Sequence, residues 1–250
     1  MLQVSMLQPI HFEMYAAQIQ VLPVTPCLSK ADLLRPAFRL YQDARLEIYY
    51  APFDYLNPSA KVVLVGVTPG WTQMEIAYRQ AREGLHAGLA FHTILDRIDE
   101  HASFAGSMRR NLVTMLDALA LPEHLGIPSS ASLFSTHRPL LHTTSALRYP
   151  VFVNGRNYTG HTPKPLSMPA LLYFIEHLLA EELQQASEAI IIPLGQSVST
   201  IIEYLAGTGS LDRHRCLVGF PHPSGANGHR VREFNERREG LTRGLKEWFA

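Results

Sequence analysis

The sequence predicts an α/β fold of three layers, α/β/α, around a central four-stranded parallel sheet. Two observations predict it. Four short apolar runs rich in β-branched residues, at 62–65, 139–143, 189–194 and 216–220, alternate with stretches whose apolar residues recur three and four positions apart. That alternation continues through the chain, and continuous apolar runs of this length are the strands of sheets covered on both faces. The helical stretches are 28–44, 71–83, 108–120, 168–186, 196–205 and 231–249. No repeat, low-complexity tract or long linker divides the 250 residues. A single domain over 1–250 is expected, with 1–60 as an N-terminal extension packing on it.

Composition narrows the function classes. The formal net charge is zero and the isoelectric point about 7.2, so no global positive field marks a nucleic-acid binder. A footprint on DNA has to be local. One candidate lies near the C-terminus, where Arg213, Arg215, Arg230, Arg232, Arg237, Arg238, Arg243 and Lys246 face only Glu233, Glu236 and Glu239. A solvated helix face explains the same charges equally well. Cys27 and Cys216 form no C-x-x-C pattern, which argues against zinc, an iron-sulfur cluster or a disulfide framework and fits a reducing cytoplasm. His86, His92, His137, His142, His161 and His229 show no H-x-H or H-x-x-x-H spacing, and Asp96, Asp99 and Glu100 read as the solvated face of a helix. No metal and no organic cofactor are expected. Residues 1–10 lack the basic and apolar regions of a signal peptide, and no apolar run nears the roughly 20 residues that span a bilayer. The expectation is a monomeric cytoplasmic protein with no membrane partner.

Ligands of open parallel sheets bind beyond the carboxyl ends of the strands, and the unusual sequence lies there. After the first run comes Gly66-Val67-Thr68-Pro69-Gly70-Trp71, a turn whose glycines and proline allow a sharp bend that brings backbone N–H groups toward a ligand. A plain strand-to-helix connection accounts for such a turn as well. After the fourth run comes His222-Pro223-Ser224-Gly225-Ala226-Asn227, where an imidazole, a rigid proline and a hydroxyl suit a planar polar ligand and a phosphate oxygen. A lone turn histidine is more often structural. The pairing of the two loops is what points to a site.

These two loops together resemble the signature motifs of the uracil-DNA glycosylase superfamily, a G-x-x-P-G-like turn after the first strand and an H-P-S-like loop after the last. Gly88-Leu89-Ala90-Phe91 looks like the segment that supplies an aromatic ring to a flipped base. Residues 141–148 resemble the strand end that bears the base-reading residue, and Gly160-His161-Thr162-Pro163 resembles a G-x-x-T-P-like stretch of some bacterial members. The resemblance spans about residues 60–245.

What it implies is a DNA glycosylase that hydrolyses the N-glycosidic bond of uracil or a related damaged pyrimidine, extruded from DNA into a pocket. Phe91 would stack on the base, His222 would stabilise the leaving anion, and Thr68 would place water. Gly66, Val67, Pro69, Gly70 and Ser145 would hold and read the base. Ser224, Gly225, Asn227, Arg230 and Arg156 would grip the DNA strand. The chain departs from the family where Thr68 stands in place of Asp or Asn and Val67 in place of Glu. A hydroxyl orients water but is no base at neutral pH. Ser145 stands in place of an Asn, and Gly70 stands where strict members place a bulky ring, so a wider pocket is expected. A different class of reading is a diverged member that binds DNA or a nucleotide without cleaving it, because fold does not guarantee function.

Overall fold

The computed structural model describes residues 11–104 and 106–250 and shows a mixed α/β chain. Its strands are β1 (Arg39–Gln42), β2 (Leu46–Tyr49), β3 (Val62–Gly66), β4 (Leu141–Ser145), β5 (Val151–Val153), β6 (Arg156–Asn157) and β7 (Ile190–Pro193). The parallel sheet has three strands in the order β4-β3-β7, with Val62 opposite both Leu141 and Ile190. β3 is buried along its whole length, and its side chains alternate between two cores. Val63 and Val65 pack with Met74, Tyr78, Ile98 and Val198 on one face, and Val62 and Leu64 pack with Leu112, Leu116, Phe234 and Leu245 on the other. Helices therefore cover both faces. Trp71–His86, Phe91–Ala102 and Gln196–Gly207 lie on the first, and Ser107–Asp117 and Arg230–Trp248 on the second.

The expected fourth strand is a correction. Residues 216–220 run beside β7 but contribute one isolated bridge, Cys216 to Ile191. The Val218 N–H turns back onto the Cys216 carbonyl at 3.1 Å and Gly219 is left-handed at φ +93, so the ladder cannot propagate. The hydrogen bonds from the Leu217 N–H to the Ile191 carbonyl and from the Gly195 N–H to the Phe220 carbonyl still tether the segment.

The expected helix over 28–44 is a second correction. Ser29 and Asp32 form a capping box for Lys30–Leu33, and the helix stops because Arg35 precedes Pro36 and takes an extended conformation. The chain then enters β1, first strand of an antiparallel sheet β1-β2-β5-β6 that the sequence reading did not contain. Within residues 11–60, Phe12, Ile19, Leu33, Phe38, Ile48 and Tyr50 are buried in the same core as β3. This segment thus forms part of the main core.

Among the described residues, no helix is long and apolar enough to cross a membrane, and no group of three His, Cys, Asp or Glu side chains is set to hold a metal ion.

Candidate functional site

A cleft of about 700 Å³ opens at the carboxyl edge of the parallel sheet, within the size range of small-molecule sites. Gly66, Val67, Thr68, Gly70, Ser145, His222, Ser224 and Asn227 line it. A much smaller recess of about 30 Å³ shares the Gln73, Phe104 and Ser145 walls and adds Phe53, Tyr55, Pro69, Asp99, Thr143 and Arg148. Two loops more than 150 residues apart are thus brought to one cleft, the first by β3 and the second by the tether of 216–220 to β7, which lies parallel to β3.

The electrostatics of His222 follow from its neighbours. The Ser224 N–H donates to His222 Nδ1 at 3.2 Å, so a neutral ring carries its proton on Nε2. Burial, and then the nearby His161, push the imidazole below its ordinary value of 6.5. At neutral pH it is an uncharged N–H donor. The loop is braced from within: Asn227 Nδ2 donates to the His222 carbonyl at 3.3 Å and to Glu233 at 3.2 Å, and Arg230 Nη1 donates to the Ser224 carbonyl at 2.9 Å. Asn227 and Arg230 therefore shape the loop.

His222 also leans on Gly195, where φ is +97 and a Cβ would stand 3.0 Å from His222 Cβ. A side chain in that region of backbone space costs about 1–3 kcal/mol. Gly195→Ala is expected to lower thermal stability by that order and to move the His222 ring resonances in an NMR spectrum. An unchanged melting temperature and spectrum would show that the loop yields freely.

The turn after β3 is more occupied than its sequence suggests. The Gly70 N–H donates to Gln73 Oε1 and the Trp71 N–H to Asn157 Oδ1, each at 3.0 Å, so neither is free for a ligand. The Thr68 hydroxyl donates to the Tyr149 carbonyl at 3.0 Å, which leaves its oxygen as an acceptor. The space beside Gly70 is not vacant either: a Cβ there would meet Asn157 Nδ2 at 3.0 Å. The wider pocket expected from Gly70 is corrected by that side chain, which sequence alone did not place there.

Phe91 is a further correction. It opens the helix Phe91–Ala102 and is 38% exposed. Its ring packs edge-on against Phe12 at 5.1 Å, away from the cleft. The ring at the site is Phe104, 8% exposed and held in a left-handed conformation at φ 46, within 3.3 Å of where a Gly66 Cβ would be. Asp99, read as solvated, has a side chain only 10% exposed and sits in the recess wall.

The 238 residues that align with the uncharacterized protein YoxB of Bacillus subtilis (strain 168) are 43% identical to it, and the match covers 94% of this chain and 92% of that protein. The chain belongs to the YoxB family. No family model matches, and no solved structure matches.

In this YoxB-family chain the remaining DNA-gripping candidates are exposed beside residues that line the cleft, Arg156 next to Asn157 and Gly225 between Ser224 and Ala226. Arg156 is exposed on β6 opposite Val153, and Gly225 is exposed near Ser107. The C-terminal arginines are largely engaged as well. Arg215 is buried and donates to the Leu183, Ala186 and Ala189 carbonyls, Arg237 donates to Gly219 and Arg238 to Ala118. Arg232 and Arg243 pair with Glu236 and Glu239 on their own helix. The apparent basic patch is mostly carbonyl capping and intrahelical pairing, a distinction that composition does not carry.

Proposed function

We propose that this protein is a DNA glycosylase of the uracil-DNA glycosylase type, with the corresponding fold, which hydrolyses the N-glycosidic bond of uracil or a related deaminated or damaged pyrimidine. The observation that carries the reading is the neutral, Nε2-protonated His222 in one cleft with the Gly66–Gly70 turn, the Phe104 ring and the Ser145 hydroxyl.

The chemistry follows from those parts. A flipped base needs a flat apolar wall and a polar edge, which Phe104 and Ser145 supply. Breaking the C1′–N bond sends its electron pair onto the base, and a fixed N–H donor at the base oxygen stabilises that charge as it grows. His222 is this donor. A neutral imidazole suits the role because it gives a hydrogen bond without protonating the base outright. Water then bonds to C1′, and its proton passes through solvent to the departed base anion, leaving a C1′ hydroxyl and the neutral base. Thr68 accepts a hydrogen bond from that water and places it, but does not remove the proton.

The test is alkaline cleavage of labelled oligonucleotides carrying uracil, 5-hydroxymethyluracil, thymine or hypoxanthine, as single strands and opposite G or A, with the full-length protein. Abasic sites at any of these bases are the expected result. The committed Thr68 hydroxyl and the engaged arginines favour a second reading, a protein that binds a nucleotide without cleavage. Salt-sensitive DNA binding without abasic sites anywhere in the panel would replace the first reading with the second.

A further inference from the structure

The recess beside the cleft contains a carboxylate that the proposed chemistry does not use. Asp99 Oδ1 accepts hydrogen bonds from Ser103 Oγ at 2.9 Å and from Thr143 Oγ1, and Asp99 Oδ2 accepts from Arg138 Nη2 at 3.3 Å. An ionised carboxylate offers about four lone-pair positions and no donor. Three are filled, and one on Oδ2 remains among the described residues. The side chain is 10% exposed and lines the recess, so the carboxylate is largely withdrawn from bulk water.

The recess itself is only about 30 Å³, so it admits the edge of a ring seated in the adjoining cleft rather than a whole heterocycle. Phe53, Tyr55 and Phe104 are aromatic, Pro69 is flat, and Thr144 and Ser145 bring hydroxyls that have no hydrogen-bond partner among the described residues. Those hydroxyls rotate to donate or accept and so discriminate poorly. Asp99 does not have that freedom. Ser103, Thr143 and Arg138 hold it from three directions, and it can only accept.

We infer that Asp99 is the specificity-determining residue of the site, reading an N–H on the edge of the bound base while Ser145 and Thr144 adapt to whatever flanks it. The inference rests on the glycosylase reading and names the substrate class within it: bases that present a ring N–H, as uracil does at N3. A base whose edge lacks that hydrogen leaves the carboxylate facing an acceptor or an alkyl group, and a site built around a buried hydrogen bond rejects such an analogue strongly. The role differs from that of Thr143, which touches Asp99 and positions it.

Full-length wild-type protein, Asp99→Ala and Asp99→Ser are compared on oligonucleotides carrying uracil or N3-methyluracil. Abasic-site formation is one readout; fluorescence of an adjacent 2-aminopurine, which reports base extrusion without cleavage, is the other. Thermal unfolding accompanies both, and the serine variant, which keeps a polar partner for Thr143, serves if the alanine variant melts early. Wild-type protein is expected to favour uracil by about tenfold or more, and both variants to bring the two bases within about threefold. If wild-type protein excises both bases alike, or the variants keep the full preference, the assignment to Asp99 is overturned while the glycosylase reading stands. If nothing is excised, the glycosylase reading falls, and the extrusion signal decides Asp99 alone. A preference in that signal that is lost in the variants upholds it, and equal signals overturn it.

Discussion

His222→Ala is expected to lower the rate of base excision by about 100- to 1,000-fold, the usual loss for one preorganised donor aimed at a developing anion. The loss should appear in kcat with little change in substrate affinity, because the hydrogen bond strengthens as charge collects on the base. Fold stability should move far less, since the ring is only partly buried and its one ring hydrogen bond among the described residues is from the Ser224 N–H. The pH profile gives an independent check. Burial and His161 hold His222 below 6.5, so the neutral form persists below that pH and the acid limb of kcat/KM should fall at a pH lower than an exposed histidine would set. Protonation also ends the ability of Nδ1 to accept from Ser224, loosening the loop. Single-turnover excision by wild type and variant from pH 4.5 to 8 tests both points. A variant that retains wild-type kcat would remove His222 from the mechanism.

Glu182→Ala is expected to cost about 3–5 kcal/mol of folding stability, because it strands two polar partners in the core. Glu182 is nearly inaccessible, accepting from His142 Nε2 at 2.7 Å and from Arg148 Nη2 and Nε at 2.7 and 3.1 Å. His142 Nδ1 is already buried without a partner, so loss of the Nε2 bond leaves the whole ring unsatisfied. Glu182→Gln keeps the shape and removes the charge, and should fall between variant and wild type.

The acid limb of stability carries the same signature. Burial alone would raise the Glu182 carboxyl, but the Arg148 charge and the His142 hydrogen bond outweigh it and bring it from 4.5 down to about 2. A carboxyl depressed in the folded state contributes stability that is complete above pH 4.5 and drains away as pH falls toward 2. Asp54, which accepts from the Tyr50 and Tyr149 hydroxyls, is raised by burial and acts in the opposite sense. Urea unfolding between pH 2.5 and 6 should therefore show a steep decline in wild type and a shallower one in Glu182→Gln. Equal slopes would show that Glu182 does not control acid stability. Because Arg148 also lines the recess, the same substitution ties fold stability to the site.

Much of the scaffold was legible because burial leaves a periodic trace. β3 and β7 are buried runs rich in β-branched residues, and the helices Trp71–His86, Gln196–Gly207 and Arg230–Trp248 start within a residue of where their spacing places them. Departures occurred where a local backbone event outweighed pattern. Pro36 ended a helix, and the reversal at Val218 with left-handed Gly219 ended a strand.

The sequence by itself determined the two loops that flank the cleft, Gly66–Gly70 and His222–Asn227, since a turn after a buried strand is punctuated by glycine and proline whatever surrounds it. Tertiary structure decided which side chains face between them. Phe91 and Phe104 lie 13 positions apart and look alike in one dimension, but the intervening helix carries the first onto Phe12 and the second over Gly66. Asp99 looked solvated for the same reason: helical spacing fixes which residues share a face, and only packing against Thr143 and Arg138 decides that this face is covered. Charge counts failed at the C-terminus because an arginine that caps three carbonyls and one that awaits a phosphate are the same letter. Site chemistry depends on contacts between distant segments, and those contacts exist only once the chain has folded.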